Sequence, residues 1–362
     1  MRNTSLLVLA ASVVPSVVMG QLVPDRLYYG VGREMPMTVK VPADKKGEIK
    51  IMLLEPVTAK ELASASAAAG AVNLSTLFTG FFTAETPRFA YAQLVIGEEK
   101  FGPAVVLQPM LNSPRAAVKT RKQGDVTVTA PETDANGKVI FQSLGGPTFT
   151  GIRAYVDQHV LMETTLGNVE FELRPDVAPN TVWSYRELVG GGYYTGVIFH
   201  RIVNQPNFPF VIQGGDPTGT GMGGPGYNID LEKSSMPHDF GVLSMARSGD
   251  PDSGGSQFFV CLSREATAQL DGAYTTFGQA VSGAETIMAI ASTPVNRERP
   301  INPPAIKSAK LVDAPPYGTG PKPATKPGAA ATPAKAPEKA PEKAPEKPAD
   351  APAGGAKGPE KK

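Results

Sequence analysis

Two polar side chains with reach, Arg201 and Gln213, stand in a stretch that is otherwise apolar, with Val203, Phe210, Val211 and Ile212 around them. Val197, Phe199, Arg201 and Val203 alternate with Ile198, His200 and Ile202, the period of a strand. Residues 204–209 carry two prolines and two asparagines and read as a loop. Residues 210–213 form a second strand, ended by Gly214-Gly215. Paired as a hairpin, the two strands bring a guanidinium and an amide together beside a phenylalanine. Such a polar corner on an apolar floor can be a structural ion pair awaiting a carboxylate, or a place where a ligand's polar group is held. These residues alone leave both open.

The downstream sequence narrows the choice. FHR at 199–201 and QGGD at 213–216 are followed by LSMA at 243–246, GSQFF at 255–259 and LDGAYTTFG at 270–278. In this order and near this spacing, the blocks resemble the cyclophilin-type peptidyl-prolyl isomerases. The resemblance covers residues 158–312, less than half of the chain. It implies an antiparallel β-barrel capped by two helices. It also implies a reaction that needs no nucleophile, metal or cofactor. Rotation about a peptide bond costs roughly 18–20 kcal/mol. X-Pro bonds interconvert slowly between nearly isoenergetic forms. A catalyst has only to favour the twisted amide.

The matching positions carry the parts. Arg201 stands where the family's catalytic arginine does, and Gln213 would orient it. Phe210, Val211, Phe259 and Leu270 would form the proline socket, with Tyr274 at its rim where some members carry histidine. The main chain at Ala246 and Arg247 would hold substrate backbone, and Gln257 falls near the channel. About four extra residues separate Arg201 from the socket phenylalanine, and registering on Gln213 selects Phe210 over Phe208. Arg247 replaces the asparagine of many eukaryotic members. Gln269 stands where cyclosporin-sensitive members have tryptophan, so weak cyclosporin binding is expected.

The elements that must position these residues can be read in outline. Residues 161–173 predict a hairpin turning at Leu166-Gly167. Asn180 is the expected N-cap of a helix running through Val189 and stopped by Gly190-Gly191-Gly192. Trp183 is expected in the core or at its rim rather than in a cleft. A second helix is expected over 283–291 and a last strand over 305–312. Before this domain, residues 21–150 carry several short alternating runs, among them 35–41, 48–51, 89–96, 104–107 and 126–129, with an Asn136-Gly137 turn before 139–141. They predict an immunoglobulin-like β-sandwich. The alanine-rich run 59–71 predicts a short helix or surface loop. The fold class expected overall is mainly β. Every candidate pocket residue lies between 201 and 274, so the chemistry is expected to need the second domain alone.

Composition excludes other classes. A net charge of +1 gives no global bias toward nucleic acid or membrane surfaces. Cys261 is the one cysteine, which excludes an intramolecular disulfide; its apolar run 258–262 predicts a buried, inert thiol. His159, His200 and His238 lack metal spacing, and His200 is expected to be structural. The glycine-rich run 219–224 lacks the Lys-Ser/Thr of a phosphate loop, and residues 250–254 lack the closing glutamate of a calcium loop. Residues 1–20 have the pattern of a secretory signal, which predicts a chain exported to a periplasm or beyond, with no membrane span after its removal. Residues 318–362 predict a disordered tail, in which Ala-Pro-Glu-Lys occurs three times in succession. A solvated spacer is the expected role of that tail, with weak envelope contact as the other reading. The expected partners are proline-containing unfolded or exported polypeptides. The competing function is a non-catalytic proline-motif binder or envelope scaffold.

Overall fold

In the computed structural model, residues 20–82, 88–111, 115–123, 126–142 and 148–328 are described. Residues 1–19 of the expected signal segment 1–20 and the repeats of the tail lie outside them. Eight antiparallel strands build the second half. Their order in the sheet is Arg201–Gln205, Phe208–Gly214, Phe258–Cys261, Val242–Met245, Thr276–Ser282, Gly167–Leu173, Gln158–Thr164 and Ile306–Asp313. The sheet curls until its two ends meet through a bridge between Ile198 and Ala305. Closure of this kind leaves no long unpaired edge.

Period-two alternation sorts the side chains. Ile202, Ile212, Leu243, Phe258 and Val260 point into the barrel core, with Phe171, Tyr185, Tyr194 and Phe277. Two helices close the barrel. Pro179–Gly190 buries Val182, Tyr185 and Val189, and Ala284–Ala291 buries Ile287 and Ile290. The expected N-cap is corrected. Pro179 occupies the first turn, the cap position is Ala178, and no side chain of the helix's own segment caps it. Glu232 does so from a distance: its carboxylate accepts from the backbone N–H of Asn180 at 3.0 Å and of Thr181 at 2.7 Å. A carboxylate there satisfies orphan donors and opposes the helix dipole.

The N-terminal part has two sheets, one of six strands and one of three, facing a shared core that includes Leu22, Met37, Ile51, Leu94, Val105 and Ile152. This is a sandwich, and its strand order does not mark the immunoglobulin subtype specifically. The run 59–71 is not a helix. Glu61–Ser66 and Gly70–Asn73 are strands. Ala63 and Ala65 alternate with exposed neighbours and pack on the core, so small side chains here serve a period of two.

The described residues up to Pro327 form one compact unit. Trp183 faces the sandwich from the first barrel helix. Its ring lies 5.2 Å from that of Tyr155, and the Arg153 guanidinium sits 4.6 Å from its centroid. Tyr317 stacks on Tyr91 at 3.7 Å, and Lys100 donates to its carbonyl at 2.7 Å. The change of composition after Tyr317 does not end the packing, because the Ala324 N–H still donates to the Ala280 carbonyl at 2.8 Å.

Candidate active site

Strand register assembles the site. Arg201 pairs with Gln213, Gln213 with Phe259, and Phe259 with Ser244, so four strands present one row of side chains on one face. Two residues along, Val203 pairs with Val211 and Val211 with Cys261. This is the face opposite the barrel core. Its apolar part is a cluster of Val203, Val211, Val242, Phe259 and Cys261, with Phe210, Met236, Ala246, Leu270 and Tyr274 packed against it.

Strict alternation would turn Phe210 inward, beside Ile212. A bulge prevents this: Val203 pairs with Val211 and Asn204 with Pro209, leaving Phe210 as the extra residue. A bulge re-aims a side chain locally. Phe208 lies outside the cluster, stacked on Phe210 at 5.1 Å. The insertion that shifts spacing in the sequence is thus absorbed where the chain turns.

The polar residues form a relay. Arg201 donates through Nη1 to Gln213 Oε1 at 3.2 Å and through Nε to Glu298 Oε2 at 2.6 Å. Gln213 donates to Gln257 Oε1 at 3.1 Å. Gln257 donates in turn to the carbonyls of Gly221 at 3.0 Å and Gly223 at 2.9 Å. Burial pushes the Asp216 carboxyl up, but hydrogen bonds from Gly223, Thr218 and Gly221 outweigh it and hold the pKa well below the usual carboxylate range. Asp216 thereby ties the loop that Gln257 leans on. A groove of about 660 Å³ opens beyond this relay, between residues 221–228, the main chain of 246–248 and Gln257.

The socket has backing. His238 stacks behind Phe259 with ring centroids 6.0 Å apart. Asp271 accepts from the His238 N–H at 2.9 Å and from Arg264 at 2.6 Å. Burial lowers the His238 pKa, against the pull of Asp271. Tyr274 meets Phe259 edge-on at 5.8 Å, and the Arg247 guanidinium lies 4.6 Å from the Tyr274 centroid. The Ala246 N–H is used within the fold, donating to Gln257 O at 2.9 Å. Cys261 is buried, and burial raises its thiol pKa strongly. His200 is buried and its Nδ1 has no partner among the described residues; burial lowers its pKa.

The structure brings together Arg201, Gln213, Phe210, Val211, Ala246, Arg247, Gln257, Phe259, Leu270 and Tyr274. Gln269 lies exposed on the 3-10 turn leading to Leu270. Sequence reasoning missed Glu298, Met236 and the Asp271–His238 backing. QGGD and LDG carried Asp216 and Asp271 as motif letters only. Nothing in the sequence pointed to Glu298, 97 residues from Arg201.

Strand register thus sets a cation and an amide beside an outward apolar socket. The sequence profile described as "Cyclophilin type peptidyl-prolyl cis-trans isomerase/CLD" matches residues 159–311. Peptidyl-prolyl cis-trans isomerase B of Bacillus subtilis is 48% identical over 119 residues, covering 32% of this chain and 78% of that protein. Peptidyl-prolyl cis-trans isomerase-like 1 of Gibberella zeae is 40% identical over 161 residues, covering 43% and 95%. Among solved structures, a cyclophilin type peptidyl-prolyl cis-trans isomerase of Cryptosporidium parvum is similar at 36% identity and a TM-score of 0.40, covering 44% of this chain and 99% of that one. The chain belongs to the cyclophilin-type peptidyl-prolyl cis-trans isomerase family, and its enzymatic class is isomerase.

Proposed function

We propose that the protein accelerates X-Pro isomerisation in exported polypeptides, with Arg201 as the group that stabilises the twisted amide. One observation carries the reading: the Arg201–Gln213–Phe259 row sets a guanidinium at the edge of an apolar socket. Proline docks against Phe210, Val211, Phe259 and Leu270. As the C–N bond twists, its nitrogen regains a lone pair and becomes an acceptor. A donor already aimed there stabilises the transition state and not the ground state. Gln213 and Glu298 hold the fork so that little reorganisation is needed at that moment. Export rests on the sequence of residues 1–20, and exported chains are the corresponding substrates. Weak binding of cyclosporin-type macrocycles belongs to the same reading, since Gln269 offers no indole face.

A non-catalytic binder has one observation in its favour. Glu298 is the carboxylate that a structural arginine would have. Against it, the Arg201 side chain keeps 38% of its surface exposed beside the socket. Exchange NMR on a short Ala-Pro peptide separates the two. Arg201→Ala is expected to lower kcat/KM about a hundredfold or more, the cost of one preorganised donor, on the order of 3 kcal/mol. Circular dichroism should stay native. Near-wild-type exchange in a folded variant would move the weight to the binder.

A further inference from the structure

Residues 115–123 and 126–142 form an arm outside the two sheets of the sandwich. Its strands Val118–Gln123 and Val126–Pro131 form a hairpin, and Arg115–Ala116 pairs with Phe141–Gln142 at the base. The arm is docked on the isomerase barrel. Arg115 grips Asp230 with two donors, at 3.0 and 2.7 Å. Ala116, Val139 and Phe141 close over Leu231. From there the arm reaches both loops that carry the rim residues Arg247 and Tyr274. The Thr129 carbonyl oxygen lies 3.9 Å from where a Cβ on Gly249 would sit. The Lys138 Cγ lies 3.5 Å from the equivalent point on Gly272.

Outside the Arg115–Asp230 pair, the described part of the arm carries four cations against the two acids Glu132 and Asp134. Lys119, Arg121, Lys122 and Lys138 are exposed and make no ion pair among the described residues. Of the described acids nearby, Glu132 is exposed and pairs with none of these cations, and three aspartates keep their charge while accepting backbone N–H groups. Asp134 accepts from the N–H groups of Asn136 and Lys138 in its own turn. Asp250 accepts from Asp252 N, and Asp252 from Leu231 N. Val118 and Ile140 add exposed apolar surface between the cations.

We infer that the arm is an accessory substrate surface, which holds the acidic, extended flank of a polypeptide whose proline occupies the socket. The inference rests on the isomerase reading and names its substrate class. Register seats Lys119 and Arg121 on either side of Thr120, the partner of Thr129 beside Gly249, so a flank leaving over the Arg247–Tyr274 rim meets the field of the arm's cations. Binding that is equal in ground and transition states lowers KM and leaves kcat alone.

The test uses the full chain and its Lys119→Glu/Arg121→Glu/Lys122→Glu variant. Two peptides share one Ala-Pro centre, one flanked by glutamates and one by lysines. Exchange NMR gives kcat and KM; fluorescence anisotropy gives binding independently of turnover. The wild type is expected to favour the glutamate peptide at least fivefold, in KM and in affinity. The variant should lose or invert that preference with kcat within twofold, and 0.5 M salt should erase it. A preference that is absent from the wild type, or unchanged in the variant, overturns the inference. If neither peptide is turned over, the isomerase reading fails, and the anisotropy ratio still decides the arm by the same criterion. Should the triple substitution instead abolish binding to phosphatidylserine vesicles and leave peptide affinities unmoved, the arm is a membrane contact and the inference is wrong.

Discussion

Arg201 is the residue on which the proposed chemistry turns, and Glu298 is what the structure adds to it. The ion pair is half exposed, so its worth is small, about 0.2–1 kcal/mol. Its geometric effect is larger in kind: it fixes Nε and leaves the remaining donors toward Gln213 and the socket. Glu298→Gln should therefore lower kcat/KM about two- to fivefold on an Ala-Pro peptide, through kcat more than KM. An unchanged or raised kcat would mean that Glu298 only offsets charge. Gln269 offers a second test at this scale. Gln269→Trp supplies a flat apolar face and an N–H donor beside Leu270. Cyclosporin inhibition should tighten at least tenfold while peptide turnover stays within threefold. Tight inhibition of the unmodified protein would sink the assignment of this position.

Among the elements, the turn after the strand Phe208–Gly214 controls how closely the site is packed. Gly215 has φ +91°, which side-chain-bearing residues rarely adopt. A Cβ there would meet Ser256 O at 2.3 Å and Gln257 Cα at 2.9 Å, both backbone atoms that cannot swing aside. The close approach brings Gln257 within reach of Gln213. Gly215→Ala should cost at least about 2 kcal/mol. The melting temperature followed by circular dichroism should drop by roughly 5 °C or more, with turnover reduced in the protein that remains folded. A native melting curve would show that the turn relaxes without opening the site.

At the scale of the whole molecule, the sandwich and the barrel share a buried, titratable seam. Asp157 joins the two parts. Its N–H donates to Ala104 O at 2.8 Å, and burial raises its carboxyl pKa to about 7, against the pull of His159 and Arg186. The folded pKa lies above the unfolded value of about 3.9. The folded state therefore binds more protons between these values, and stability falls as pH rises from about 4 to about 7. Above pH 7 the penalty is complete, on the order of 4 kcal/mol at most. Asp157→Asn removes it. The variant's melting temperature should match wild type near pH 4 and exceed it by several degrees at pH 8. An equal difference at both values would show that Asp157 stays ionised in the folded seam. The arm and the segment around Tyr317 belong to this scale too. Through them the barrel that holds every candidate residue is packed against the rest of the chain.

The sequence alone determined what depends on local pattern. Alternation over 197–203 and a second apolar strand over 210–213, paired as a hairpin, were enough to bring Arg201 and Gln213 together, and the resemblance carried by the ordered motifs supplied the socket residues. The bland reading of Arg201 as half of an ion pair proved compatible with the functional one, since the same guanidinium serves Glu298 and Gln213. Asn180 failed as a cap because Pro179 already starts the helix and a carboxylate from residue 232 reaches its first turn. The alanine-rich run failed as a helix because pairing to Ile49–Leu54 offered its small side chains a core to cover. Phe210 could be chosen over Phe208 by counting from Gln213, but only the bulge explains why it faces the socket. Glu298, the His238 backing and the docked arm were beyond any local pattern. Each joins residues far apart in the chain, and such contacts exist only once burial and closure of the barrel have made them neighbours.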